Sequence, residues 1–183
     1  RLVQVIVRSA WRALLVALCW STMLSADVRA APTTDPILER RVIGTSIEGR
    51  PLEAYRMGAK GGAVVVVIGV IHGDEDAGLL ITDELLRMRA PSGVELWVVP
   101  TINPDGTAAD QRGNANLVDL NRNFPYAWAP MGKPGYWQFS GSKRASEPET
   151  KAIVKFMREI KPKLGIWYHQ DLNMISQIGR AHV

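Results

Sequence analysis

From position 64 the chain runs through VVVVIGVI without a single charged or hydroxyl side chain, then breaks abruptly into His72, Gly73, Asp74 and Glu75. A short apolar run this rich in β-branched residues predicts a strand over 64–71 buried on both faces, as in a parallel sheet covered by helices. The spacing then changes. Leu79, Leu80, Leu85, Leu86 and Met88 recur at roughly helical intervals, which predicts a helix over 76–89 closed by Pro91. A second apolar run predicts a strand over 94–99, and Pro100 ends it. Next comes a long polar region through NPDG and VDLNRNFP, predicted as loop; a loop of that length inside a compact domain is usually functional. Ser146 and Glu149 have the S-x-x-E spacing of a capping box, with Pro148 in the first turn. They predict a helix over 147–160 with Ile153, Val154, Phe156, Met157 and Ile160 on one face, ended by Pro162. A third apolar strand, 164–168, leads into His169. Upstream, two runs of β character flank Glu48-Gly49 and predict a hairpin. Alternating strands and helices of this kind indicate an α/β fold, a mostly parallel or mixed sheet with helices on both faces.

With 183 residues, 46% hydrophobic and 22% charged, the chain is long enough for one domain with a real core. Its formal charge of +4 says little about partners, because four of the 22 basic residues and one of the 18 acidic ones fall in the first thirty positions. The remainder is nearly balanced, which gives no electrostatic reason to expect nucleic acid or an anionic membrane. Residues 1–30 have the layout of an export signal: Arg8 and Arg12, an apolar stretch over 13–24, and Val28-Arg29-Ala30 before Ala31. About twelve apolar residues are too few to cross a hydrocarbon core of about 30 Å, so cleavage after Ala30 is expected rather than anchoring. Export to a periplasmic or extracellular location follows. The one cysteine, Cys19, lies inside this segment and follows Leu18 rather than a small residue, which argues against a lipoprotein. The expected organisation is a signal peptide over 1–30, a linker over 31–39, and a catalytic-type domain over 40–177.

The chemistry is expected where apolar strands end. In sheets of this kind ligands sit at the strands' carboxyl ends. Glycines at 69 and 73 are expected to let the backbone turn sharply enough for His72 and Glu75 to converge. A point reached by imidazole and carboxylate suits zinc, and His169, at the end of another core strand, would complete a His2Glu set of three ligands that leaves a fourth position open. The pairing His72-x-x-Glu75 is weak by itself. With three histidines in the chain, two at ends of apolar strands exceed what composition predicts.

At this point the sequence resembles the zinc carboxypeptidase family, the carboxypeptidase A type metallopeptidases, and within it the bacterial murein tripeptide amidase branch. The resemblance covers most of 40–172 and is carried by HGDE at 72–75, NPDG at 103–106, RGNANLVDLNRNFP at 112–125, SEPET at 146–150 and the strand-terminal His169. It implies one zinc ion held by His72, Glu75 and His169. It implies that Arg112 meets the scissile carbonyl oxygen, that Asn121 and Arg122 hold the substrate's free carboxylate, and that Asp119 accepts a hydrogen bond from a zinc-binding histidine. The residue types suit these roles. Zinc lowers the pKa of bound water from about 15.7 to about 7. A permanently charged Arg112 can stabilise an oxyanion as it forms, and Arg122 can grip a carboxylate through two parallel hydrogen bonds. Asp119 beside a ligating histidine would fix its tautomer and orientation. Asp74 and Asp76 are read as helix-start residues, favoured at the positive end of the dipole. The aromatic loop over 124–139 either lines a substrate pocket or packs the loop onto the domain.

The family also needs a glutamate general base from a strand well beyond the third ligand. This chain stops soon after His169, so the base is expected to be missing, the fold to be incomplete at the C-terminus, and the 183-residue chain by itself to be inactive. Its last six residues, IGRAHV, can be encoded by a sequence similar to a common sequencing-library adapter, and 178–183 is expected to be a non-native tail. Three functions remain in view. The leading one is an exported, monomeric zinc metallopeptidase that cleaves an amide near a free carboxylate, with murein peptides as substrate and no stable membrane anchor after signal cleavage. The second is a deacylase of N-acyl amino acids of the aspartoacylase and succinylglutamate desuccinylase type. The third is a non-catalytic zinc or peptidoglycan-binding module.

Overall fold

The computed structural model of the chain describes residues 36–170. The expected signal peptide with Cys19, and the expected tail over 178–183, lie outside the described residues. A five-stranded mixed sheet forms the centre, in the order β1-β2-β4-β3-β5. β1 (Ile37–Thr45) and β2 (Pro51–Met57) make the antiparallel hairpin predicted around Glu48-Gly49. Gly49 supplies the left-handed turn residue at φ +81°. β1 begins three residues inside the stretch expected to be linker. β3 (Ala63–Val70) and β4 (Val94–Thr101) pair in parallel across the helix α1 (Ala77–Arg87). β5 (Leu164–Trp167) joins the other side of β3, also in parallel, after the crossover helix α3 (Pro148–Ile160). The sheet is therefore parallel in the middle and antiparallel at the hairpin side.

The apolar run of β3 is buried on both faces because each face meets a different helix. Val66 and Ile68 pack with Trp97, Val99, Ile153, Phe156 and Met157 on the α3 side, where the Phe156 ring stands edge-on to Trp97 at 5.1 Å. Val67 faces the other way, against Met57, Leu96, Val98 and the α1 residues Leu85 and Leu86. Each aliphatic side chain buried this fully contributes about 1.5–3 kcal/mol.

Three local expectations change. The stretch after β4 is not all loop: α2 (Pro104–Ala109) forms there, with the Asn103 side chain accepting from the Gly106 amide at 3.0 Å and Pro104 in the first turn. Its six residues carry no apolar periodicity, so only the cap and the proline mark it. The capping box at α3 does not form, since Glu147 is the cap residue and makes no side-chain cap bond. Glu149 instead turns inward. Finally, neither Gly69 nor Gly73 has a positive φ. Their value is close approach: a Cβ on Gly69 would lie 2.5 Å from the Pro100 carbonyl oxygen and 2.9 Å from that of Gly78, and one on Gly73 would collide with the carbonyl of Gly106. α1 and α2 thus seat directly on the backbone that carries the site. Among the described residues no helix is long and apolar enough to cross a membrane.

Candidate metal centre

β3 and β5 run side by side in parallel with Ile68 opposite Trp167, so the residues just past their ends, His72 and His169, leave the sheet at the same edge. Their rings lie 4.9 Å apart. Glu75, from the short link between β3 and α1, sits between them: Oε1 is 2.8 Å from His72 Nδ1 and Oε2 is 2.9 Å from His169 Nδ1. The Gln170 amide adds a bond to Oε2 at 3.2 Å. Candidate ligand atoms from these three side chains all lie within 4.8 Å of one another.

Asp119 reaches the cluster from the polar loop. It caps the short 3-10 turn Leu120–Arg122 by accepting from the Asn121 amide, and the same Oδ1 lies 3.1 Å from His72 Nε2. Arg112 closes the ring, donating from Nε and Nη2 to Asp119 Oδ2 at 3.1 and 3.0 Å and from Nη1 to Glu75 Oε1 at 3.2 Å. Its backbone is fixed as well, because the Arg112 carbonyl accepts from Asn103 Nδ2 and from the Gly73 amide. The two conspicuous sequence stretches, NPDG and HGDE, therefore brace the loop that carries Arg112.

Burial by itself would raise the Asp119 carboxyl, but the bond and field of His72 together with Arg112 outweigh it and hold it below its ordinary value. Burial opposes ionisation of Glu75 in the same way, and is overcome by the bond from His169, the field of His72 and the Gln170 amide. Two ionised carboxylates thus face the two nitrogens of one buried imidazole. If Nε2–H donates to Asp119, the bare Nδ1 lone pair meets an oxygen that also can only accept. A metal ion between Nδ1 and the Glu75 carboxylate would satisfy both, and the donor set of two imidazoles and one carboxylate fits zinc.

A family model of zinc carboxypeptidases matches residues 26–180. The chain belongs to the zinc carboxypeptidase family. The family brings a zinc cofactor with it, and His72, Glu75 and His169 are the residues here that could hold one. The chain is 34% identical over 144 residues to murein peptide amidase A of Escherichia coli (strain K12), covering 73% of the chain and 60% of that protein. It is 34% identical over 137 residues to carboxypeptidase SOL1 of Arabidopsis thaliana, covering 65% of the chain and 26% of the relative. Among solved structures, the murein-tripeptide amidase MpaA from Escherichia coli O157 superposes with a TM-score of 0.62 at 32% identity over 73% of this chain and 61% of that one. Carboxypeptidase A from Helicoverpa armigera gives 0.61 at 23% identity over 73% and 41%, a likeness of fold. The chain spans about 60% of the length of the curated murein peptide amidases that it matches.

Of the residues singled out in the sequence, His72, Glu75, His169, Asp119 and Arg112 are brought together. Asn121 and Arg122 are placed differently. They line a separate cavity of about 160 Å³ with Phe124, Tyr126, Trp128 and Ser140. Asp76 starts α1, as read, without a side-chain cap bond. The aromatic loop packs in part onto the domain, with Phe124 edge-on to Trp167 at 5.7 Å, whereas Trp137 stays 61% exposed and carries the Arg112 guanidinium over its ring at 5.1 Å. Trp137 was not distinguishable in the sequence from its aromatic neighbours. Asn114 and Asp105 were also missed; the only sign of either was membership of the RGNANLVDLNRNFP and NPDG stretches.

Proposed function

We propose that the whole protein is an exported zinc peptidase or amidase that hydrolyses an amide bond beside a free carboxylate in murein peptides. One observation carries the reading: two strand-end histidines and Glu75 converge beneath a guanidinium, with Asp119 orienting His72 from behind. The murein peptide amidases among the relatives support the choice of peptide, and the export-signal layout of 1–30 supports a periplasmic or extracellular site of action. The protein acts as a monomer.

His72, Glu75 and His169 would hold the zinc ion. When bound, zinc supplies a Lewis acid and a water acidified to near neutrality. Asp119 accepts from His72 Nε2, which would leave Nδ1 free to ligate. Arg112 donates toward the charge that develops on the carbonyl oxygen through the two guanidinium N–H groups that bond neither Asp119 nor Glu75. Trp137 steadies the guanidinium plane, a cation–π contact worth about 0.5–1 kcal/mol at an exposed site. Arg122 and Asn121, with no side-chain partner among the described residues, offer the cavity they line a bidentate cation and a neutral donor for the substrate's carboxylate. Among the described residues the carboxylates at the cluster are both engaged, Glu75 with the two rings and Asp119 with His72 and Arg112. The general base is therefore sought outside residues 36–170.

The test is an assay of the zinc-loaded whole protein against murein tripeptide, N-acetylaspartate and N-succinylglutamate, with and without chelator. Cleavage of the murein tripeptide alone, abolished by chelator and restored by zinc, is expected. Turnover of the acyl amino acids would replace the reading with a deacylase. Zinc and wall-peptide binding without any turnover would replace it with a binding module.

A further inference from the structure

Glu147 and Glu149 are buried beside one another at the start of α3, 4% and 0% exposed, and neither forms an ion pair among the described residues. Their common partner is the side chain of Asn114, itself wholly buried. Asn114 Nδ2 donates to Glu147 Oε2 at 2.9 Å and to Glu149 Oε2 at 3.1 Å. Asn116 Nδ2 gives Glu147 a second bond, and the Ile47 amide, in the hairpin turn, gives one to Glu149 Oε1 at 3.1 Å. Burial pushes the Glu149 carboxyl above its ordinary value. A strut of apolar side chains would join the same elements without the desolvation penalty that buried acids carry. What buried, fully bonded acids add is direction, since each bond fixes an angle as well as a distance.

The direction is imposed on one loop. Asn114 Oδ1 accepts from the amides of Asn116 and Val118, its own amide donates to the Val118 carbonyl, and its carbonyl accepts from Leu117. Residues 114–118 are thereby folded into a closed turn with Leu117 in the left-handed region at φ 58°. Arg112 stands two residues before Asn114 and Asp119 one residue after Val118. The amide that Glu149 holds is therefore the pivot between the two groups that flank the metal cluster.

We propose that Glu149, acting through Asn114, is a positioning residue that sets where Arg112 and Asp119 meet His72 and Glu75. This rests on the roles given above to Arg112 and Asp119. Asn114→Asp is the sharpest probe. It preserves shape and the Oδ1 acceptor but turns a third carboxylate toward two others. Adding Glu149→Gln to it returns a donor to the contact from the opposite side, while the glutamine oxygen still accepts from the Ile47 amide.

The experiment measures zinc affinity by chelator competition, kcat and KM on murein tripeptide, and Tm, for the whole protein and these variants. Asn114→Asp is expected to bind zinc about tenfold more weakly and to lose about 10- to 100-fold in kcat per zinc-loaded molecule. The pair Asn114→Asp with Glu149→Gln is expected to recover to within about threefold of wild type. If Asn114→Asp does not fold, Glu149→Gln alone decides, with a loss of several-fold in zinc affinity at a Tm still above the assay temperature. Wild-type zinc affinity and kcat in the folded variants, or losses that merely follow the unfolded fraction, overturn the proposal. A wild-type protein that binds zinc yet cleaves no peptide overturns the proposed function alone, and the zinc affinities still decide this one.

Discussion

Asp119 illustrates how much a single carboxylate arranges in this site. It accepts from His72, from the Asn121 amide and twice from Arg112, so it fixes an imidazole, a helical turn and a guanidinium at once. Asp119→Asn preserves the shape and replaces one acceptor oxygen by a donor, which would face either His72 Nε2–H or Arg112. Zinc affinity measured by chelator competition is expected to fall about 10- to 100-fold, although no ligand has been removed. Asp105 does comparable work for the hairpin turn. It accepts from Ser46 Oγ at 2.7 Å and the Glu48 amide at 3.0 Å, and pairs with Arg50. Burial would raise its carboxyl, but those bonds outweigh burial and hold it below its ordinary value of 3.8. The unfolded chain therefore takes up this proton first as pH falls. The stabilisation is present above pH 3.8 and is lost as pH drops through the lower, folded value. Asp105→Asn is expected to unfold about 1–3 kcal/mol more easily at pH 7, and urea melts at pH 3 should show the gap to wild type closing.

At the scale of elements, α3 is the member whose loss the sheet could least absorb. Its Ile153, Phe156 and Met157 fill the face of β3 and β4 opposite α1, and Ile153 is fully buried. Ile153→Ala is expected to cost about 2–5 kcal/mol, read as a shift in the urea midpoint with an unchanged slope. The strands and this helix were legible in the sequence because their apolar residues have no competing use: Val64 to Ile71 can only be buried, and the period of 153, 156, 157 and 160 fits one face. The metal cluster was legible for a related reason. A histidine straight after an apolar strand is carried to the strand's end whatever the remaining fold does. What stayed hidden were residues with two plausible partners. Glu149 has capping-box spacing from Ser146, yet bonds to Asn114, thirty-five positions away. Local spacing cannot reveal that choice, because it is decided by which buried amide needs a partner. Trp137 was hidden likewise, since its contact with Arg112 depends on how a long loop folds back. α2 was marked by Asn103 and Pro104, but a helix of six small and polar residues leaves no periodic trace.

For the whole molecule, the metal centre ties together distant parts of the chain. The ligand candidates come from just past the end of β3, the end of the β3–α1 link and just past the end of β5, with Asp119 and Arg112 joining from the polar loop. A metal bound to all three ligands is absent from the unfolded chain as a preformed site, so its binding free energy adds to folding. Raising free zinc to one hundred times its Kd is expected to stabilise the protein by about 2.7 kcal/mol, visible as a rise in Tm that chelator reverses. A Tm indifferent to zinc would mean that the cluster does not close around the ion.

The backbone crossings at Gly69 with Gly78, and at Gly73 with Gly106, have one more consequence. A methyl group at Gly69, Gly73 or Gly78 would strike main chain, and one at Gly106 would strike the Asn103 side chain and the Gly113 carbonyl. In a saturation library scored for folded protein, these four positions would admit glycine and little else, while exposed positions beside the ions and rings of the site would accept many residues. A map of mutational tolerance drawn without regard to activity would thus trace the crossings that seat α1 and α2. The strictest demands on the sequence would fall on residues with no side chain at all.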